Sequence, residues 1–201
     1  MGTIKDNALH YLLTDVDIID MGLLNGKSGQ SLFYFLYSRY SGYPVIEDYA
    51  EDLLYEVTDS ITNEIPIWFD NGLTGIGWAV IYLYQHQYID GDVNIILNCF
   101  DRLLTKRDVR RINNLSLEKG LRGIACYVSA RIEMDLDHPL LDERFIKEIF
   151  ERCKDLGVSQ YSLSMEALCE YMSQKDNASL WKDGICPMFE KRHEKESSIS
   201  N

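Results

Sequence analysis

Three glycine motifs recur along the chain at an almost constant spacing: Asn25-Gly26-Lys27-Ser28-Gly29, Asn71-Gly72-Leu73-Thr74-Gly75 and Lys119-Gly120-Leu121-Arg122-Gly123, offset by 46 and 48 residues. A period of this size marks a repeated supersecondary unit, because one unit alone cannot bury its apolar face and stacking supplies the cover. Each motif opens an apolar run, at 32–37, 78–84 and 124–128, without a polar side. Helices built from such runs must be covered on most sides.

Between the runs lie segments of another texture. Apolar residues follow helical spacing at Tyr49, Ala50, Leu53, Leu54, Val57 and Ile61, then at Val93, Ile96, Leu97, Phe100 and Leu104, then at Phe145, Ile146, Ile149, Phe150 and Cys153. Their opposite faces are acidic, and Asp92 stands where it favours a helix N-terminus. Three amphipathic helices therefore alternate with three apolar ones, and 161–172 reads as a fourth inner helix without the glycine signature. The predicted class is all-α: an α/α toroid, partial or incomplete, of repeated helical hairpins, with apolar helices inside and amphipathic helices outside. The expected boundaries are a single toroid-like domain over 1–189 and a loose tail over 190–201, where the chain turns charged and then Ser-rich.

Composition supports long helices, since four prolines and thirteen glycines in 201 residues leave long stretches without a breaker. With 32 acidic against 20 basic residues the formal charge is -12, which repels a phosphate backbone or an anionic membrane surface. Neither nucleic acid nor membrane is an expected partner. Five scattered cysteines, three of them on apolar helical faces, read as reduced buried thiols and a cytoplasmic location. Residues 1–20 hold no apolar core of a secretory signal, and no stretch approaches the roughly 20 apolar residues of a membrane span.

Gly26, Gly29, Gly72, Gly75, Gly120 and Gly123 are read as structural, allowing tight turns and close helix approach. If the inner helices start at one mouth of a ring, their free N–H groups and dipole ends would receive an anionic or carbonyl-rich ligand. The candidate mouth residues are Asn25, Trp68, Asp70, Asn71, Trp78 and Glu118, with Asp70 or Asn71 alternatively capping the helix that begins at Gly72. The ending Gly26-Lys27-Ser28 is not a phosphate-binding loop: Met21 stands where a glycine is required, no apolar strand precedes it, and Asp15, Asp17 and Asp20 flank it. Metal-ligand spacings are absent, and the pair Cys186 and His193, seven apart, is a poor candidate beside Pro187. No metal and no cofactor are expected.

Gly72-Leu73-Thr74-Gly75-Ile76-Gly77-Trp78-Ala79, Gly120-Leu121-Arg122-Gly123-Ile124-Ala125 and Gly22-Leu23-Leu24-Asn25-Gly26 resemble the Gly-Leu-x-Gly-Ile repeats of the lanthionine synthetase C-like family, over about residues 20–173. The resemblance implies an α/α toroid and a history in ribosomal peptide maturation, where that family adds cysteine thiols to dehydrated residues. It also implies zinc held by a Trp-Cys-x-Gly segment and an adjacent Cys-His pair. This chain departs from the pattern: 180–184 and 185–187 do not match, so no family metal ligand carries over. The expected function is a non-catalytic accessory protein binding a peptide or a partner enzyme. The rival is a carbohydrate hydrolase or lyase that uses Asp70 and Glu118 with Trp68 and Trp78 as a sugar platform. A homodimer joined through bare helix faces is a third expectation.

Overall fold

The computed structural model describes residues 4–14, 19–134, 141–158 and 161–190. The protein is all-α, and no strand occurs among the described residues. The α-helices are α1 (Ile4–Thr14), α2 (Lys27–Ser41), α3 (Val45–Asp59), α4 (Leu73–Gln85), α5 (Asn94–Leu104), α6 (Leu121–Met134), α7 (Glu143–Asp155) and α8 (Met165–Ser173). A 3₁₀ turn, Val109–Arg111, precedes α6. A π-helical segment, Leu180–Ile185, runs on into α-helix that continues through residue 190. No helix among the described residues is long and apolar enough to cross a membrane.

The chain forms two compact units, one of Met1–Asp20, Leu24–Asp59 and Ser164–Asn201, the other of Met21–Leu23 and Ser60–Leu163. In the second unit α4 is buried on every side from Leu73 through Leu83, as its lack of polar positions requires. It packs on α5 and α6, and α6 packs on α7. The outer helices bury one stripe each: Leu97, Phe100, Asp101 and Leu104 on α5, and Phe145, Ile149 and Cys153 on α7. The apolar run that opens α4 stops being covered at Tyr84, which is exposed. Asp92 does act at the start of α5, its carboxylate accepting the Asn94 N–H at 3.0 Å.

In the first unit α2 packs against both α3 and the π-helical segment, and is buried from Ser28 through Ser38. Ser31 survives in that interior because its hydroxyl donates to the Ala50 carbonyl of α3 at 2.8 Å. The Trp181 indole, fully buried, donates to the Leu24 carbonyl at 3.0 Å, joining residues 157 apart in sequence. Gly184 makes room for Phe33, since a Cβ there would stand 2.8 Å from the ring. α1 lies on the same π-helical segment, and the Asn7 amide donates to the Asp183 carbonyl at 2.7 Å. Trp181→Phe is expected to lower the free energy of unfolding by about 1–2 kcal/mol, because the Leu24 carbonyl loses its partner in a buried place. Urea denaturation measures this, and an unchanged midpoint would discount the bond.

Two expectations need correction. The helix foreseen over 161–172 starts only at Met165, because the Ser164 hydroxyl caps it by accepting the Ala167 N–H and Glu166 sits in the first turn. It also buries one face only, through Met165, Leu168, Cys169 and Met172, so it lacks the all-round cover of α2, α4 and α6. At the other end, helix continues through Glu190, the first residue of the expected tail, and 191–201 lie outside the described residues.

Candidate functional site

The loops that lead into α2, α4 and α6 share one closure. In each, the first helical N–H returns to the carbonyl seven residues earlier: Lys27 to Asp20 at 2.9 Å, Leu73 to Pro66 at 2.8 Å, and Leu121 to Asn114 at 2.8 Å. The first glycine of each motif precedes that N–H, and Gly26 and Gly72 are extended N-caps without a side-chain cap. A Cβ at Gly72 would run into the Pro66 carbonyl, and one at Gly120 would stand 2.5 Å from the Asn114 oxygen. The closure therefore excludes the side chain that would ordinarily cap the helix. Neither Asp70 nor Asn71 caps α4, contrary to one expectation; the Asp70 carboxylate accepts the N–H of Asn71 itself, at 2.8 Å.

The second glycines hold the loops in register. A Cβ on Gly75 would collide with the Phe69 carbonyl and come within 3.1 Å of the Leu23 Cβ. On Gly123 it would collide with the Leu117 carbonyl and come within 2.6 Å of the Phe69 Cβ. Each loop's buried anchor, Leu23 and then Phe69, thus sits on the second glycine of the next motif. The Phe69 and Asp70 N–H groups both donate to the Glu118 carbonyl, at 2.9 and 3.1 Å, which fastens the second loop to the third.

This fastening brings together three of the expected site residues, Asp70, Asn71 and Glu118, and adds Lys119, whose ammonium lies 3.6 Å from the Asp70 carboxylate. Burial pushes the Asp70 carboxyl above its ordinary range. Lys119 and the Asn71 N–H oppose that shift, and the nearby Glu118 carboxylate adds to it. Desolvation wins because the Lys119 side chain is 59% exposed and its charge is screened by water. The Asn71 amide oxygen is buried beside them without a hydrogen-bond partner. Lys119 was missed as a site residue, though it occupies in the third motif the place that Asn71 holds in the second.

The other candidates fall elsewhere. Trp78 is buried, its ring edge-to-face with Phe69 at 6.0 Å and stacked on Tyr82 at 5.6 Å, so it offers no face to a sugar. Trp68 is half-buried and remains accessible. Asn25 belongs to the other unit, where its amide, oriented to donate, reaches the Asn177 and Leu24 carbonyls. No three metal-ligating side chains converge among the described residues, and His193 lies outside them.

A second polar cluster lies between α5 and α6. Tyr127 donates to Asp101 at 2.6 Å, Arg131 Nε donates to the same carboxylate at 3.0 Å, and Arg131 also reaches Asn98 at 3.3 Å. Arg131 Nη1 is buried there without a hydrogen-bond partner. Burial raises the Asp101 carboxyl despite the opposing Tyr127 and Arg131. The sequence carried a signal for this cluster: Asp101 interrupts the apolar stripe of α5 between Leu97 and Leu104, and Arg131 follows Tyr127 by one turn in an apolar helix.

The sequence matches no protein-family model and no curated protein.

Proposed function

We propose that this chain is a cytoplasmic, non-catalytic accessory protein of the lanthionine synthetase C-like type, with hairpins arranged as in an α/α toroid. In this reading it binds a peptide or a partner enzyme of ribosomal peptide maturation at the loops ahead of α4 and α6. The observation that carries the proposal is the threefold closure at Lys27, Leu73 and Leu121, because the same backbone geometry recurs where the family's glycine repeats resemble this sequence. The departure from the family lies in donor chemistry: the sequence has no adjacent Cys-His pair and no Trp-Cys-x-Gly segment to activate a thiolate. What stands ahead of α4 and α6 instead is a carboxyl, an ammonium and an amide. These groups suit hydrogen bonding and charge pairing with a peptide better than covalent chemistry.

Titration calorimetry with a cysteine-containing lanthipeptide precursor, in dehydrated and unmodified forms, tests the proposal. Binding of either form with its thiols left free is the expected result. Asp70→Asn and Lys119→Ala should each weaken binding roughly fivefold, as loss of a half-exposed charge contact does, with little change in melting temperature. Cyclisation of the dehydrated peptide would overturn the non-catalytic assignment, and so would stoichiometric zinc in the purified protein. Absence of binding to both forms would overturn the peptide.

A further inference from the structure

Two of the closures set an asparagine directly before the glycine, Asn25-Gly26 in the first loop and Asn71-Gly72 in the second, whereas the third has Lys119-Gly120. An asparagine followed by glycine is prone to lose its side-chain amide, because no Cβ shields the following backbone nitrogen from the asparagine Cγ. At Gly72 the fold cannot supply that shield, since a Cβ there would run into the Pro66 carbonyl. The two asparagines are held differently. Asn25 is exposed, yet its amide, oriented to donate, reaches the Asn177 and Leu24 carbonyls at 3.1 and 3.2 Å. Asn71 is half-buried, and its Oδ1 is buried without a hydrogen-bond partner. Only its backbone N–H is engaged among the described residues, by the Asp70 carboxylate at 2.8 Å. The Gly72 N–H has no backbone acceptor among the described residues either.

We propose that Asn71 is a site of spontaneous deamidation, at which the chain acquires a second carboxylate beside Asp70, while Asn25 in the sister loop is protected. The Gly72 nitrogen gives its proton to solvent hydroxide and attacks Asn71 Cγ. The Cγ–Nδ2 bond breaks, ammonia leaves, and a five-membered succinimide joins the two residues. Water then opens the ring. Cleavage of the bond between Cγ and the Gly72 nitrogen leaves aspartate, and cleavage on the main-chain side leaves isoaspartate, with the backbone now running through the side chain. The balance is one amide and one water consumed, one carboxylate and one ammonia formed. For Asn25 the same attack requires the side chain to turn away from two carbonyls, which should slow it roughly tenfold. Exposure alone would rank the two sites in the opposite order, because Asn25 is the more accessible. Either product at position 71 puts negative charge against Asp70, whose carboxylate Lys119 faces at 3.6 Å. Isoaspartate also lengthens the backbone just ahead of the bond from the Leu73 N–H to the Pro66 carbonyl.

The test incubates the full chain in neutral and in mildly alkaline buffer, samples it over weeks, and maps peptides by mass spectrometry, with an isoaspartyl methyltransferase to count isoaspartate. The expected result is conversion at Asn71, faster at the higher pH because the Gly72 nitrogen must lose its proton, and roughly tenfold slower conversion at Asn25. In concentrated urea the two rates should converge, since both asparagines precede glycine and only the fold distinguishes them. The isoaspartate form should melt roughly 2–4 °C below the fresh protein, as loss of one closing hydrogen bond implies. Asn71→Gln, whose longer side chain closes a ring far less readily, should keep its amide and its melting temperature over the same period. Equal rates at the two sites in the native chain, or conversion of Asn25 with Asn71 intact, would overturn the proposal.

Discussion

Gly75→Ala is expected to destabilise the protein by about 3–4 kcal/mol and to lower its melting temperature by roughly 8–12 °C. The added methyl would collide with the Phe69 carbonyl on one side and press on the Leu23 Cβ on the other. Neither obstacle is a flexible side-chain end, so no rotamer change relieves the overlap, and the second loop must move. Because Phe69 also anchors on Gly123 and donates its N–H to Glu118, that movement would spread to the third loop. Gly42→Ala is the control. Gly42 has a φ of 76° with open space around it, so alanine there suffers only backbone strain, about 1 kcal/mol. Equilibrium denaturation of both variants checks the contrast, and equal losses would show that the close approach at Gly75 is not what makes it a glycine.

Arg131→Met should cost about 3–5 kcal/mol at neutral pH, because it leaves the Asp101 carboxylate buried with only Tyr127 and the helix around it. Asp101 already prefers its proton more than an ordinary carboxyl does, since burial outweighs the help of Tyr127 and Arg131. For a carboxyl raised on folding, the native state binds the proton more tightly than the unfolded chain. Its contribution to stability is therefore greatest below the unfolded pKa and falls as pH rises through the raised value. Removing Arg131 raises that pKa further, so the loss measured for Arg131→Met should shrink as pH is lowered towards 4 and grow towards 8. Adding Asp101→Leu should recover most of the loss, as replacing a whole buried ion pair by apolar groups usually does. A pH-independent loss, or a double variant worse than the single, would mean that the arginine acts through its packing alone.

Both predictions concern positions where sequence and structure informed each other to different degrees. The alternation of covered and half-covered helices was legible because burial follows periodicity: α2, α4 and α6 have no polar stripe to turn outward, and α3, α5 and α7 have one. The glycines were legible as a repeat but not as a mechanism, since a spacing of residues does not disclose which carbonyl occupies the space a side chain would need. Trp78 failed as a site residue for the converse reason. An indole four residues from Tyr82 on a helix with no polar face is placed to stack inward, and it does. Helix α8 is shorter than the segment 161–172 predicted from its apolar residues, because the Ser164 hydroxyl decides where the helix begins.

The sequence by itself determined that α2 to α7 are helices and which sides of them avoid water, because those depend on local propensity and on the period of apolar positions along the chain. Only the tertiary structure decided that Trp181 would find Leu24 and that Glu118 would receive two N–H groups from the second loop. Trp181 and Leu24 are 157 residues apart, a separation unrelated to the repeat, and the repeat spacing of Glu118 from the second loop does not disclose that its carbonyl is the acceptor. The geometry of both contacts is set by how whole helices pack, which is a property of many side-chain volumes acting together rather than of any one motif.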